Sequence, residues 1–138
     1  MEICEFNVLA GFQSFNHEYF NDELPIPKLV IRHTYRTLGY FHCDLDAWGG
    51  IVNPIIEISD NYDYTESQFR DILVHEMIHY YLLLTGRDKT CHHGREFKKM
   101  SKEFNSRYGM NITSTIDLTP YTIKEGKSNF MFKLCTFF

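Results

Sequence analysis

The chain has no Cys-x-x-Cys spacing. Its four cysteines, Cys4, Cys43, Cys91 and Cys135, are scattered through 138 residues. That excludes a dense disulfide framework and points to a reducing compartment. A basic excess is also missing: 14 Lys and Arg stand against 18 Asp and Glu, a net charge of −4. A domain that held nucleic acid through its phosphates would show a basic surplus or stripe, so any DNA association is expected to be weak or indirect. No apolar run is both long and free of charge, so no bilayer span is expected. Met1-Glu2-Ile3-Cys4-Glu5 lacks a basic leader, so no signal peptide is expected, and the place is read as cytoplasmic, or nuclear in a eukaryote. Repeats, low-complexity segments and linkers are absent.

What is present suits a packed globule. The hydrophobic share is 43% and the aromatic share 16%, too high for disorder. The length fits one core, so residues 1–138 are read as a single domain.

The chemistry concentrates in Ile72 to Leu84, which contains His75-Glu76-Met77-Ile78-His79. Thr65-Glu66-Ser67-Gln68 fits a capping box, and Gly86 fits a stop. Phe69, Ile72, Leu73, Met77, Tyr80 and Leu84 recur at helical spacing between them. Histidines at i and i+4 share one helical face and can converge on one ion at about 2.0–2.1 Å. Glu76 follows the first by one residue and can serve as a base without being a ligand. Two histidines and a glutamate in so apolar a helix are costly to bury unless something satisfies them, and a metal ion does.

A catalytic zinc site needs a third protein donor. Cys91, His92 and His93 are the candidates from residues alone, at the head of a second amphipathic stretch, Gly94 to Tyr108, with Phe97, Met100, Phe104 and Tyr108 on its apolar face. Other imidazoles, His17, His33 and His42, are assigned no metal role. Tyr80, Tyr81, Tyr108, Arg36 and Arg95 are chemically able to stabilise an oxyanion, but spacing selects none. Trp48-Gly49-Gly50 reads as a turn, with a packing role for the indole.

Elsewhere, Phe6 to Asn21 reads as a helix ended by Leu24-Pro25-Ile26-Pro27. Lys28 to Arg32, Leu38 to Asp44 and Asn53 to Ser59 read as strands. Pro54 suits an edge position, while Ile55 to Ser59 also reads as a core strand. Ile112 to Leu118 and Tyr121 to Leu134 are less clear-cut, with Lys124-Glu125-Gly126-Lys127 able to turn a hairpin. Lys98, Lys99 and Lys102, with Arg95 and Arg107, make a basic cluster that reads first as a solvated helix surface.

The pattern Phe20-Asn21-Asp22-Glu23-Leu24-Pro25-Ile26-Pro27, then Thr37-Leu38-Gly39-Tyr40-Phe41, Ile56-Glu57-Ile58-Ser59, Leu73 to His79 and His93-Gly94-Arg95-Glu96-Phe97 resembles the SprT-like zinc metalloprotease family. The resemblance spans Phe20 to about Ile112. It implies an α+β, zincin-like metalloprotease domain, its helices packed on a small mixed or antiparallel sheet. It implies Zn²⁺ held by His75, His79 and His93, a catalytic Glu76, a protein or peptide substrate, and action on DNA-associated proteins. Many members carry a cysteine-rich ribbon or long tails after this core. Here the sequence runs to Phe130-Met131-Phe132-Lys133-Leu134-Cys135-Thr136-Phe137-Phe138, which looks like a strand cut short, as in a fragment lacking a C-terminal region. Cys135 reads as a small buried residue. The competing reading is a zinc-stabilised module that recruits protein or DNA without cleaving anything.

Overall fold

The computed structural model of the chain describes residues 1–124 and 135–137. The hairpin expected at 124–127, most of the aromatic run from Phe130, and the Cys135 side chain lie outside the described residues.

The fold is α+β. Helix α1 (Glu5–Phe20) leads into β1 (Lys28–Arg32), β2 (Gly39–Leu45) and β3 (Ile51–Ser59). A short β4 (Tyr62–Asp63) precedes α2 (Glu66–Leu84) and α3 (Arg95–Tyr108). The chain then forms three short strands, β5 (Thr115–Asp117), β6 (Thr122–Ile123) and β7 (Cys135–Phe137). Strand β6 pairs with β4, and β7 with β5, both antiparallel.

The main sheet is mixed, in the order β1-β3-β2. Parallel pairing runs from Lys28 opposite Ile55 to Arg32 opposite Ser59, and antiparallel pairing sets Gly39 opposite Ile58. Strand β3 is therefore central, which agrees with the core-strand reading of Ile55 to Ser59 and corrects the edge position that Pro54 suggests. The reason lies at Pro54. The register of β2 on β3 shifts between His42 and Asp44, and Asn53 there takes a φ of 52°. Pairing with β1 begins only at Ile55. Proline thus occupies a stretch of β3 that has no neighbour on the β1 side, where its missing N–H costs no ladder bond. The cue was local and the strand as a whole is not an edge. Strands β1 and β2 are the two edges of this sheet among the described residues.

Helix α1 ends earlier than its prolines require. Asn21 and Asp22 take left-handed φ values of 53° and 59°, which these two residue types tolerate. The buried Asn16 side chain then receives the turn, donating to Leu24 O at 2.9 Å and accepting from Leu24 N at 3.2 Å.

Helix α2 is the core. From Ile72 to Tyr80 every residue is buried; α1, α3 and the inner face of the sheet pack around it. A helix so enclosed must be apolar all round, which is why the polar trio inside it stands out. Leu84, assigned to its apolar stripe, is 39% exposed at the last turn. Helix α3 buries one face only, through Phe97, Ser101 and Phe104. Trp48 is not a packing residue: it is 92% exposed at the β2–β3 turn, where Asp46 accepts from Trp48 N at 2.9 Å and Gly50 N at 2.7 Å. The turn is built by the Asp46 carboxylate, so the indole is not needed to hold it. No helix among the described residues is long and apolar enough to cross a membrane.

Candidate metal centre

The capping box at the start of α2 forms as its sequence suggests. Gln68 N donates to Thr65 Oγ1 at 3.1 Å, and Thr65 N donates to Gln68 Oε1 at 3.0 Å. This fixes where α2 begins and so which face carries His75 and His79. One helical turn apart, their ring centroids are 5.0 Å from each other.

The third imidazole arrives through the α2–α3 connection. Thr85 N bonds to Tyr81 O and Arg87 N to Leu82 O, both at 2.9 Å, closing the end of α2. Asp88 accepts from Thr90 N at 3.0 Å and Thr90 Oγ1 at 2.7 Å. Cys91, with a φ of 53°, reverses the chain into His93, directly before Gly94, the N-cap of α3. Nε2 of His93 then stands 3.1 Å from Nε2 of His75 and 3.1 Å from Nε2 of His79. Nitrogens bound tetrahedrally to one ion at about 2.0–2.1 Å stand about 3.3 Å apart. One Nε2 carries a single proton at most, so it cannot donate to both neighbours while neutral. A cation would satisfy all three lone pairs together, so the donor set fits a metal ion. The three donors all lie within 4.8 Å of one another.

Burial sets the protonation of this group. It lowers His75 well below 6.5, with His79 and His93 adding to the effect and a backbone hydrogen bond with Thr113 opposing it. It holds His79 down to about 4, and lowers His93 as well. Neutral rings are the form that binds metal. The floor of the cluster is Phe97, one turn into α3. Its ring centroid lies 4.7 Å from His75, 4.6 Å from His79 and 4.8 Å from His93. The apolar helical period marked Phe97 as core without showing that it touches all three imidazoles; its place one turn after His93 was the available signal.

Glu76 is 1% exposed, with Oε2 4.0 Å from His75 Nε2. Oε2 has no hydrogen-bond partner among the described residues. Burial raises its pKa to about 8, and a backbone hydrogen bond from Phe41 in β2 pulls it back. The site helix and the edge strand therefore meet at this carboxylate.

The remaining candidates lie elsewhere. Cys91 and His92 are exposed residues and not among the convergent donors. Tyr80 donates its hydroxyl to Pro25 O at 2.8 Å. Tyr81 packs on Phe20, and Tyr108 on Tyr19. Arg36 and Arg95 are exposed. His17 is paired with Asp22, His33 with Asp60 and His42 with Glu57.

The chain is 33% identical to the DNA-dependent metalloprotease SPRTN of Homo sapiens over 111 residues, 75% of this chain and 21% of that protein. It is 32% identical to SPRTN of Rattus norvegicus over 75% of this chain, and to SPRTN of Bos taurus over 74%, again covering 21% of each. The chain thus spans about a fifth of the length of these metalloproteases. A model of the SprT-like family matches residues 8–117, and with most of its length covered the chain belongs to the SprT-like family.

Proposed function

We propose that this chain is a zinc-dependent peptidase of the HExxH type, in which His75, His79 and His93 hold Zn²⁺ and Glu76 is the general base. The observation that carries this reading is the Glu76 carboxylate: enclosed, with Oε2 4.0 Å from a ring of the cluster and no hydrogen-bond partner among the described residues. An ion that only braced the fold would have no use for a buried carboxylate beside it, which weighs against a purely structural recruitment module.

Zn²⁺ held by the three neutral imidazoles would supply Lewis acidity toward a bound water and a peptide carbonyl. The rest is the work of this chain's residues. Glu76 Oε2 takes the proton of the attacking water and returns it to the leaving amine as the peptide bond breaks. Phe97 holds the three rings, and its bulk keeps solvent from beneath them. An extended polypeptide would lie along the open side of β2, whose ladder is paired only with β3 among the described residues. The relatives are named DNA-dependent, and the proposal extends to protein substrates associated with DNA, with weak DNA association through Lys98, Lys99 and Lys102, all exposed on α3.

The test is the Glu76→Gln variant. It should retain its metal and lose cleavage of an unfolded polypeptide such as casein by about 10²-fold or more. Assays with and without single- and double-stranded DNA show whether DNA is required. Equal cleavage by parent and variant overturns the mechanism. A fully metal-loaded parent that cleaves nothing under any of these conditions favours the recruitment module.

A further inference from the structure

Tyr40 sits between the two residues of β2 that touch the buried carboxylate. Gly39 packs against Glu76, and the Phe41 backbone bonds it. The ladder explains this arrangement. Ser59 N donates to Leu38 O at 2.9 Å, and Tyr40 stands opposite Glu57. Hydrogen-bonded residues alternate along an antiparallel strand, so Leu38 and Tyr40 direct their backbone groups to β3, while Gly39 and Phe41 turn theirs to the open side. Side chains alternate in step. Phe41 lies on the inner face, its ring centroid 5.1 Å from that of Tyr80 in α2, so Tyr40 and His42 lie on the outer face.

These two rings form one shelf, with centroids 5.2 Å apart and planes at 22°. Tyr40 is 50% exposed. Glu57 holds the shelf from behind: its Oε2 lies 2.7 Å from His42 Nε2, and its Oε1 accepts from Arg32 Nε at 2.5 Å. Both carboxylate oxygens are taken, so a basic side chain would find no free acid here. Beside Tyr40 a depression of about 250 Å³, lined by Leu38, Ile58, Thr34 and Thr37, has room for one large side chain. A polypeptide that joins the open side of β2 as an antiparallel strand must set one residue across from Tyr40. The Tyr40 backbone points away from it, so the two make a non-hydrogen-bonded pair, with Cα atoms about 4.5 Å apart. The side chain of that residue falls on the outer face, beside the two rings, where an aromatic neighbour packs best.

We infer that Tyr40 and His42 form a specificity subsite for an aromatic side chain of the substrate, carried by the residue paired with Tyr40. The inference rests on the peptidase reading above and names a preference within it. Tyr40 takes no part in the chemical step. It sorts segments of an unfolded polypeptide by what they lay on the outer face of the sheet, while its neighbours Gly39 and Phe41 keep the same segment beside Glu76.

The experiment uses zinc-loaded protein and a peptide set in which Phe, Ala, Glu or Lys is moved one position at a time along a fixed cleavable sequence. The parent should favour Phe at one fixed position, its kcat/KM exceeding the Ala peptide's about tenfold. Tyr40→Phe should keep that ratio. Tyr40→Ala should bring it near unity there and leave the ratios at the two adjoining positions, whose side chains face the other way. No Phe preference at any position, a Glu or Lys preference in its place, a Phe preference that survives Tyr40→Ala, or a loss spread evenly over all positions overturns the subsite and leaves the peptidase reading intact. Binding separates the two failures. Glu76→Gln protein should bind the Phe peptide more tightly than the Ala peptide in fluorescence anisotropy, and the added Tyr40→Ala change should abolish the difference. That result upholds the subsite even where cleavage is absent; equal binding overturns it.

Discussion

The Cβ that Gly39 lacks would stand 3.1 Å from Oε2 of Glu76. It would lie equally close to Glu76 Cγ and Ile72 Cγ2. The edge strand thus crosses α2 with no room for a side chain, and that closeness brings the Phe41 backbone to the carboxylate. Gly39 has an ordinary negative φ, so its role is space and not backbone freedom.

Gly39→Ala should therefore push β2 and Glu76 apart by a few tenths of an ångström. The expected outcome is unchanged metal content, a stability loss of about 1–3 kcal/mol by urea unfolding, and a fall in kcat larger than any change in KM. Unaltered kcat in a protein that still folds would show that the spacing between β2 and α2 does not set the base.

The two neighbouring histidines should behave oppositely. His93→Ala should lose the metal and the stabilisation that it brings, about 4 kcal/mol when free metal exceeds its dissociation constant a thousandfold. His92→Ala should bind metal and melt as the parent does, since His92 is exposed and outside the convergent group. Metal analysis by mass spectrometry and thermal melts with and without chelator read both.

Phe97→Leu should keep the fold and weaken metal binding about 10- to 100-fold, the size expected when support behind ligands is lost. Phe97→Ala should also cost about 3–5 kcal/mol of stability. Competition with a zinc-responsive dye measures the affinity. Parent-like affinity in the leucine variant would mean the rings are held without their aromatic floor.

The metal-free chain should show two opposed pH slopes. Burial depresses the folded pKa of His79 to about 4 and lowers those of His75 and His93. Their contribution to stability is present above the ordinary value of 6.5 and is lost as pH falls toward 4. Glu76 is raised from 4.5 to about 8, so its contribution is present below 4.5 and is lost as pH rises through 8. The histidine effect is complete only about one pH unit above 6.5, so across pH 6.5 to 8 the two slopes oppose each other, and the Glu76 share is up to about 2 kcal/mol. Urea unfolding of chelated protein at those two pH values should show the parent losing about that much relative to Glu76→Gln, in which only the histidine slope remains.

Much of this site could be read from residue order because it is local. His75 and His79 share a helix face by spacing, and Thr65 with Gln68 announces where that helix starts. The third donor was open among Cys91, His92 and His93 because a turn between helices has no period. Only a left-handed Cys91 decides which ring swings inward, and the family pattern, not spacing, had indicated His93. Strand order was less legible for a similar reason. Pro54 reports one missing hydrogen bond, while the position of β3 depends on pairing with β1, more than twenty residues earlier in the chain. The Gly39–Glu76 contact is likewise long-range: the glycine was visible in its motif, but not the carboxylate it makes room for.

The bonds that close Leu82 to Arg87 and Asp88 to Thr90 have an entropic meaning. Helix α2 alone delivers two donors in fixed relation, so what remains is to bring in the third across 86–92. Ordering that short tether opposes ion capture. Each bond already made within it lowers the penalty, and the affinity of the proposed site for a cation would measure how pre-set the tether is.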